Sequence, residues 1–272
     1  MSNLVLFKKN LQKHPFHLVD PSPWPFVGSM FAFSCTISAV LYFHMFEIGS
    51  NLLVCNFCFL LILMFLWWRD VVRESTYEGY HTGLVQQGLR YGILLFIISE
   101  IFFFVAFFWA FFHSSISPAI EIGSIWPPKG IQVLNPWDIP FVNTLILLLS
   151  GCTVTWTHHA MISNLKTQVV ISLSFTIILA IIFTLFQAYE YNMADFRLAD
   201  GIYGSTFYMA TGFHGFHVLI GTISLFICLV RLLNYQLTRE HHFGFESSAW
   251  YWHFVDVVWL FLFVSIYWWG GI

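Results

Sequence analysis

Long apolar stretches with very few charges constrain this chain more than any other feature. A helix needs about 20 apolar residues to cross the hydrocarbon core of a bilayer. Seven runs approach or exceed that length: 24–46, 51–68, 85–113, 138–161, 167–190, 203–233 and 246–269. The runs at 85–113 and 203–233 are longer than a vertical crossing requires, so those helices are expected to tilt or to project into water. Composition closes off the alternative of a water-soluble core. Only 9% of the 272 residues are charged and 58% are hydrophobic, whereas soluble domains carry roughly 25% charged residues. The expected fold is all-α: a polytopic membrane protein with seven transmembrane helices, forming a single membrane domain over 1–272. No soluble domain and no internal repeat interrupts it. The longest polar connections are 69–84, 114–137 and 234–245. The middle one carries Pro118, Pro127, Pro128 and Pro136 with Trp126 and Trp137, and reads as an ordered loop with aromatic anchors at the interface.

The basic residues orient the spans. Seven crossings place Lys8, Lys9, Lys13, Arg69, Arg73, Arg90, Lys166, Arg231 and Arg239 on one side, and only Lys129 and Arg197 on the other, nine against two of the 11 in the chain. The N-terminus is therefore expected on the cytoplasmic or matrix side and the C-terminus opposite. Residues 1–22 hold three lysines and then meet Pro21, Pro23 and Pro25, with no compact apolar region of a cleaved signal, so insertion is expected to use the internal spans. A net charge of −3 gives no indication of a nucleic-acid partner. The 5 cysteines (Cys35, Cys55, Cys58, Cys152 and Cys228) all lie in apolar stretches at irregular spacing, which is not a disulfide framework. Cys55 and Cys58 form a lone C-x-x-C and read as helix packing rather than as a metal or redox site.

Ionisable groups at membrane depth are costly, so each is a functional candidate. Glu100 lies near the middle of the third span, between Phe96 and Phe104. A carboxylate there needs a partner or a proton of its own. It reads as a proton relay, or as a neutral acid hydrogen-bonded to a neighbouring helix. His214 and His217 stand at i and i+3 on the sixth span, on one helix face, with Gly212, Gly215 and Gly221 permitting close helix approach. Imidazole is a common metal ligand, but interhelical hydrogen bonding at a tight crossing is the preferred reading. His253 and Asp256 share a face of the seventh span and are expected to hydrogen-bond to each other. The pairs His158-His159 and His241-His242 stand alone rather than in the repeated boxes of a di-iron enzyme, and read as interfacial. No metal site and no catalytic residue is expected. At the exit of the second span, Trp67 and Trp68 precede Arg69 and Arg73. A forked guanidinium beside an aromatic belt suits a lipid phosphate; simple topology anchoring is the alternative. Arg231 at the end of the sixth span reads the same way.

Several strings occur together in order. DPSPWP at 20–25 precedes the first span, WWRDVVREST occupies 67–76 and GLRYGILLFIISE occupies 88–100. WAFFHSS follows at 109–115, IWPPKG at 125–130 and YGSTFYMATGFHGFH at 203–217. HHFGFESSAWYWHFVDVVWLFLFVSIYWW closes the series at 241–269. In these strings the chain resembles subunit III of the mitochondrial type of cytochrome c oxidase, over nearly its whole length. The resemblance implies a V of helices, the first two (roughly 1–68) forming one arm and the last five (85–272) the other, with phospholipids in the cleft. It implies no haem or copper on this chain; haem a and copper belong to partner subunits, and structural phospholipids are the bound molecules. It implies contact with the catalytic subunit I and other subunits of the oxidase in the mitochondrial inner membrane, with the N-terminus in the matrix and the C-terminus in the intermembrane space. It also implies a supporting role in sustained turnover and proton uptake. The family's intramembrane carboxylate falls on Glu100. Its lipid headgroup contacts fall near Trp68, Arg73, Glu74 and His81, and at Arg231. One departure is Tyr80, where the family has the first residue of a His-His pair; this leaves His81 as the contact.

Three other classes compete. The equivalent subunit of a bacterial quinol oxidase is the nearest and would lack a copper-bearing partner for cytochrome c. A retinal protein needs a Schiff-base lysine inside the bundle, and Lys8, Lys9, Lys13, Lys129 and Lys166 all lie outside the spans; a seven-helix receptor would bind its ligand without any oxidase partner. A stand-alone haem or di-iron enzyme would show itself in the visible spectrum of the isolated chain.

Overall fold

The computed structural model describes residues 14–271, so Lys8, Lys9 and Lys13 lie outside the described residues. Among the described residues, seven helices are long and apolar enough to cross a membrane. They are α1 (Trp24–Phe43), α2 (Gly49–Thr76), α3 (Gly83–Ile116), α4 (Ile139–Ile162), α5 (Lys166–Met193), α6 (Ile202–Leu233) and α7 (Phe243–Leu262). The last helix continues through a π-helical stretch, Phe263–Trp268, and a 3-10 turn, Trp269–Gly271. No strand occurs among the described residues. The helices start close to the expected spans, but several run on past them. α2 continues through Arg69 to Thr76, and α3 is 34 residues long, about 50 Å at 1.5 Å per residue. Hydropathy marks where lipid ends, whereas backbone hydrogen bonding continues into the polar interface.

The chain divides into two compact units, Met1–Leu89 and Arg90–Ile272. In the first, α1 and α2 form an antiparallel hairpin. The turn between them brings Gly49 so close to α1 that a Cβ there would lie 2.6 Å from the Tyr42 nitrogen, so only glycine fits. Trp24 and Asn56 make polar contacts across the pair. The Trp24 indole donates to Asp70 at 2.8 Å, and the Asn56 amide donates to the Ser38 hydroxyl at 2.8 Å. Leu63 is the only large apolar side chain buried within this unit's described residues.

The second unit holds the core. Trp252, Trp259, Phe111, Phe183, Phe207 and Leu225 are almost fully buried. Each core indole is satisfied: Trp252 donates to Ser150 and Trp259 to Thr144, both at 2.9 Å. The buried N–H groups thereby avoid the cost of an unmade hydrogen bond in an apolar medium. Gly221 on α6 lies directly under Trp252, where an added Cβ would meet the indole at 2.9 Å. Small hydroxyl residues zip α4 to α5 through Thr153–Thr176 and Thr157–Ser172, each 2.8 Å, the close, polar-stitched contact common between membrane helices. At one end of this unit, Arg90 of α3 meets Glu246 of α7, and Lys166 of α5 lies 3.1 Å over the Tyr235 ring just beyond α6. At the other end, the Trp126 indole donates to the Gly270 carbonyl at 3.1 Å.

Candidate functional site

Glu100 is not alone. Its Oε2 lies 2.7 Å from Nε2 of His217, joining the middle of α3 to α6. The other ring nitrogen of His217, Nδ1, is 2.6 Å from the Phe213 carbonyl. A carbonyl only accepts, so Nδ1 carries a hydrogen and donates. The short contact between Nε2 and the carboxyl group then requires one proton between them. Either Glu100 holds it and donates to a neutral imidazole, or His217 holds it and pairs with a carboxylate. Both forms have no net charge. The surroundings suit that neutrality. Phe104 stands edge-on to the imidazole at 4.9 Å, and Tyr251 stacks on it at 6.2 Å.

His214, one turn away, points elsewhere. Its Nε2 lies 3.2 Å from the Val255 carbonyl of α7, and its ring packs against Trp259 and Phe183. The two histidines therefore serve two different crossings rather than one ligand set. The expected hydrogen bond between His253 and Asp256 is not formed. Nε2 of His253 lies 3.4 Å from the Thr155 hydroxyl of α4, and Oδ1 of Asp256 is buried without a hydrogen-bond partner. Asp256 packs instead over Gly151, where a Cβ would lie 2.8 Å from its Oδ2. Residues three apart on one helix share a face, but here each turns toward α4 rather than toward the other.

The expected lipid contacts fall in two places. On the first unit, Trp68 is 57% exposed and Arg73 is exposed, both near the end of α2. Glu74 lies 3.5 Å from His17, whose ring stacks on Tyr80 and meets His81 edge-on at 5.6 Å. Thr82 donates to the Pro15 carbonyl, so residues 15–17 fold back over 74–82. In the second unit, Arg231 ends α6 beside Gly244, and its Nε has no hydrogen-bond partner. The five cysteines are free, with Cys55 and Cys58 exposed on α2.

Three groups escaped the sequence reading. Glu190 is buried, accepting from the Tyr267 hydroxyl at 2.6 Å and from the Gln187 amide at 3.4 Å. Its place at the edge of an apolar run hid it. Arg90 grips Glu246 with both arms of its guanidinium, at 2.8 and 3.2 Å. His242, expected at a wet interface, is buried and stands with His158 and Glu246, their ligand atoms all within 4.8 Å of one another. Their separation in sequence left no local signal.

Comparison with known proteins agrees with the motifs. The family profile described as cytochrome c oxidase subunit III matches residues 14–271. The cytochrome c oxidase subunit 3 of Chondrus crispus is 74% identical over 271 residues, covering all of both chains. Those of Marchantia polymorpha and Arabidopsis thaliana are 65% and 63% identical, each over 96% of this chain and 98% of the relative. With the seven apolar helices and a profile match through 258 consecutive residues, from 14 to 271, the chain belongs to the cytochrome c oxidase subunit III family.

Proposed function

We propose that this chain is a non-catalytic core subunit of the proton-pumping cytochrome c oxidase of the respiratory chain. It supports electron transfer from cytochrome c to oxygen by bracing catalytic subunit I, holding phospholipids and sustaining proton uptake. The full-length similarity to proteins named cytochrome c oxidase subunit 3 carries this reading. Haem a and copper reside in the partner subunits. The setting is the mitochondrial inner membrane, with the N-terminus in the matrix, as the nine-to-two distribution of basic residues favours.

The Glu100–His217 pair gives proton uptake a physical basis. A pair that is neutral in both of its proton arrangements holds a proton at membrane depth without the cost of a lone charge. Trp68 and Arg73 on α2, and the guanidinium of Arg231, whose buried Nε has no partner, give a phosphate an aromatic belt and forked donors. Glu74 and His81 order the segment beside Arg73.

One experiment with two arms tests the proposal. Oxidase lacking this chain is compared with oxidase carrying Glu100→Gln, following oxygen consumption and proton uptake together. The depleted enzyme should begin at near-normal rate with its haem spectrum intact, then lose activity and proton uptake over successive turnovers. Glu100→Gln should slow proton uptake while the complex stays assembled. Immediate total loss of oxygen reduction with the haem spectrum preserved contradicts the supporting role.

A further inference from the structure

We propose that His158, His242 and Glu246 form a site for a divalent transition-metal ion, zinc being the natural occupant, which fastens the end of α4 to the start of α7. The site uses none of Glu100, His217, Trp68, Arg73 and Arg231.

The first support is convergence. His158 is near the end of α4, His242 immediately precedes α7, and Glu246 is in the first turn of α7. Each offers one ligand atom, and the three atoms lie within 4.8 Å of one another. A tetrahedral zinc shell with bonds near 2 Å sets ligand atoms about 3.3 Å apart, a distance that small side-chain rotations supply. Nε2 of His242 and Oε1 of Glu246 are already 3.4 Å apart.

The second support is the direction of the lone pairs. Nδ1 of His242 is 3.1 Å from the Thr238 carbonyl. That nitrogen must donate, so a neutral His242 presents the bare lone pair of Nε2. It faces a carboxylate oxygen that also carries lone pairs. Arg90 offsets the charge of Glu246 from its other side, but two facing lone pairs at this distance are best bridged by a cation, and side-chain exposures of 9% and 13% leave little room for water between them. A second proton on His242 is one such cation. It accounts for the His242–Glu246 contact but does not involve His158, whose ring stands edge-on to His242 at 5.5 Å and tilted against Phe245 at 5.8 Å. A metal ion uses all three.

The third support lies behind the ligands. Metal-binding histidines are oriented by a carbonyl or carboxylate on their far nitrogen, and ligating carboxylates by further hydrogen bonds. The Thr238 carbonyl does this for His242, and the Arg90 guanidinium holds both oxygens of Glu246. Two imidazoles and one carboxylate are a zinc-type donor set; magnesium and calcium prefer oxygen throughout. Arg90 also draws on the charge of Glu246, so the site is weaker than a closed four-ligand one, with water in the fourth position.

The test uses the assembled oxidase complex. Complexes with the wild-type chain and with His158→Gln are treated with chelator, dialysed against zinc chloride, and counted for zinc by mass spectrometry. The wild type should hold one zinc per complex more than the variant, and the variant's affinity at this site should fall at least tenfold. Anomalous scattering at the zinc edge on the zinc-treated wild type should place a peak about 2 Å from all three ligand atoms. If His158→Gln does not assemble, that map alone decides. Equal zinc content and affinity in both complexes, or no peak among the three residues, overturns the proposal.

Discussion

The first and last membrane helices are nearly equally apolar by mean hydropathy, yet they live in different solvents. Only 6% of the most apolar window of Trp24–Phe43 is buried within the chain, against 61% for Phe243–Gly271. α1 has one helical neighbour in its own unit, touched through Gly28, Ser38 and Trp24. α7 is enclosed: Tyr251, Trp252, Phe254, Val255, Trp259 and Leu262 all face protein. Hydropathy reports that a segment prefers hydrocarbon. It does not distinguish hydrocarbon of lipid from hydrocarbon of neighbouring side chains, and the polar punctuation separates the two. α7 carries two buried indoles with bonded N–H groups, one of them packed over Gly221, while α1 carries a single bonded indole, Trp24, at its first residue.

The sharpest way to break this contrast is Trp252→Ala. Removing the indole empties the space over Gly221 and leaves the Ser150 hydroxyl with only its bond to the Leu147 carbonyl. Lipid is as apolar as the core, so the loss is of packing rather than of transfer from water. In water-soluble cores such large-to-small changes cost about 3–5 kcal/mol, transfer from water included, so the packing share lost here is smaller than that. Thermal unfolding of the purified complex should show early release of this chain, and an unchanged unfolding temperature would mean that α7 is not the internal helix.

Tyr267→Phe has a smaller expected effect. It removes the hydroxyl that donates to Glu190 and accepts from Gln187. Oε2 of Glu190 already lacks a partner, so the variant leaves the carboxyl group with the Gln187 amide alone. Leaving a buried polar group unmet costs about 1–3 kcal/mol. The same unfolding measurement should register it, and Glu190→Gln introduced into Tyr267→Phe should recover part of the loss by removing the acid.

The difference between these two regions also marks what the sequence could reveal. All seven helices were legible, because charge is excluded from lipid whatever the neighbours are. Glu100 was legible as a candidate for the same reason. Its partner was not. His217 lies 117 positions further on, and periodicity within one helix carries no information about which face meets which. The i, i+3 spacing of His253 and Asp256 suggested a local pair, but packing against Thr155 and Gly151 of α4 decided their directions. Arg90 and Glu246 sat near the starts of the third and seventh spans, where a charge meets the interface and needs no explanation. Their pairing is a tertiary fact, as is the approach of His158 to His242.

The smallest expected effect belongs to the open hairpin. Asn56→Leu removes the amide that donates to the Ser38 hydroxyl across α1 and α2. Ser38 keeps its own bond to the Ser34 carbonyl, so no donor is stranded, and leucine is at home against lipid. Interhelical hydrogen bonds in membranes average about 0.6 kcal/mol, and the variant should lower stability by no more than that. The unfolding temperature of the complex should barely move, while Trp252→Ala lowers it clearly. A loss from Asn56→Leu as large as that from Trp252→Ala would mean that α1 and α2 depend on polar contact rather than on burial in lipid, and the contrast between the two regions would fail. The hairpin's other ties include the Trp24–Asp70 bond at one end, Gly28 against Leu63, the stack of Phe31 on Phe59 at 5.3 Å, and the Gly49 turn at the other end. Stability in this region therefore rests on the match between its apolar surface and the bilayer, and the bundle's rests on its own interior.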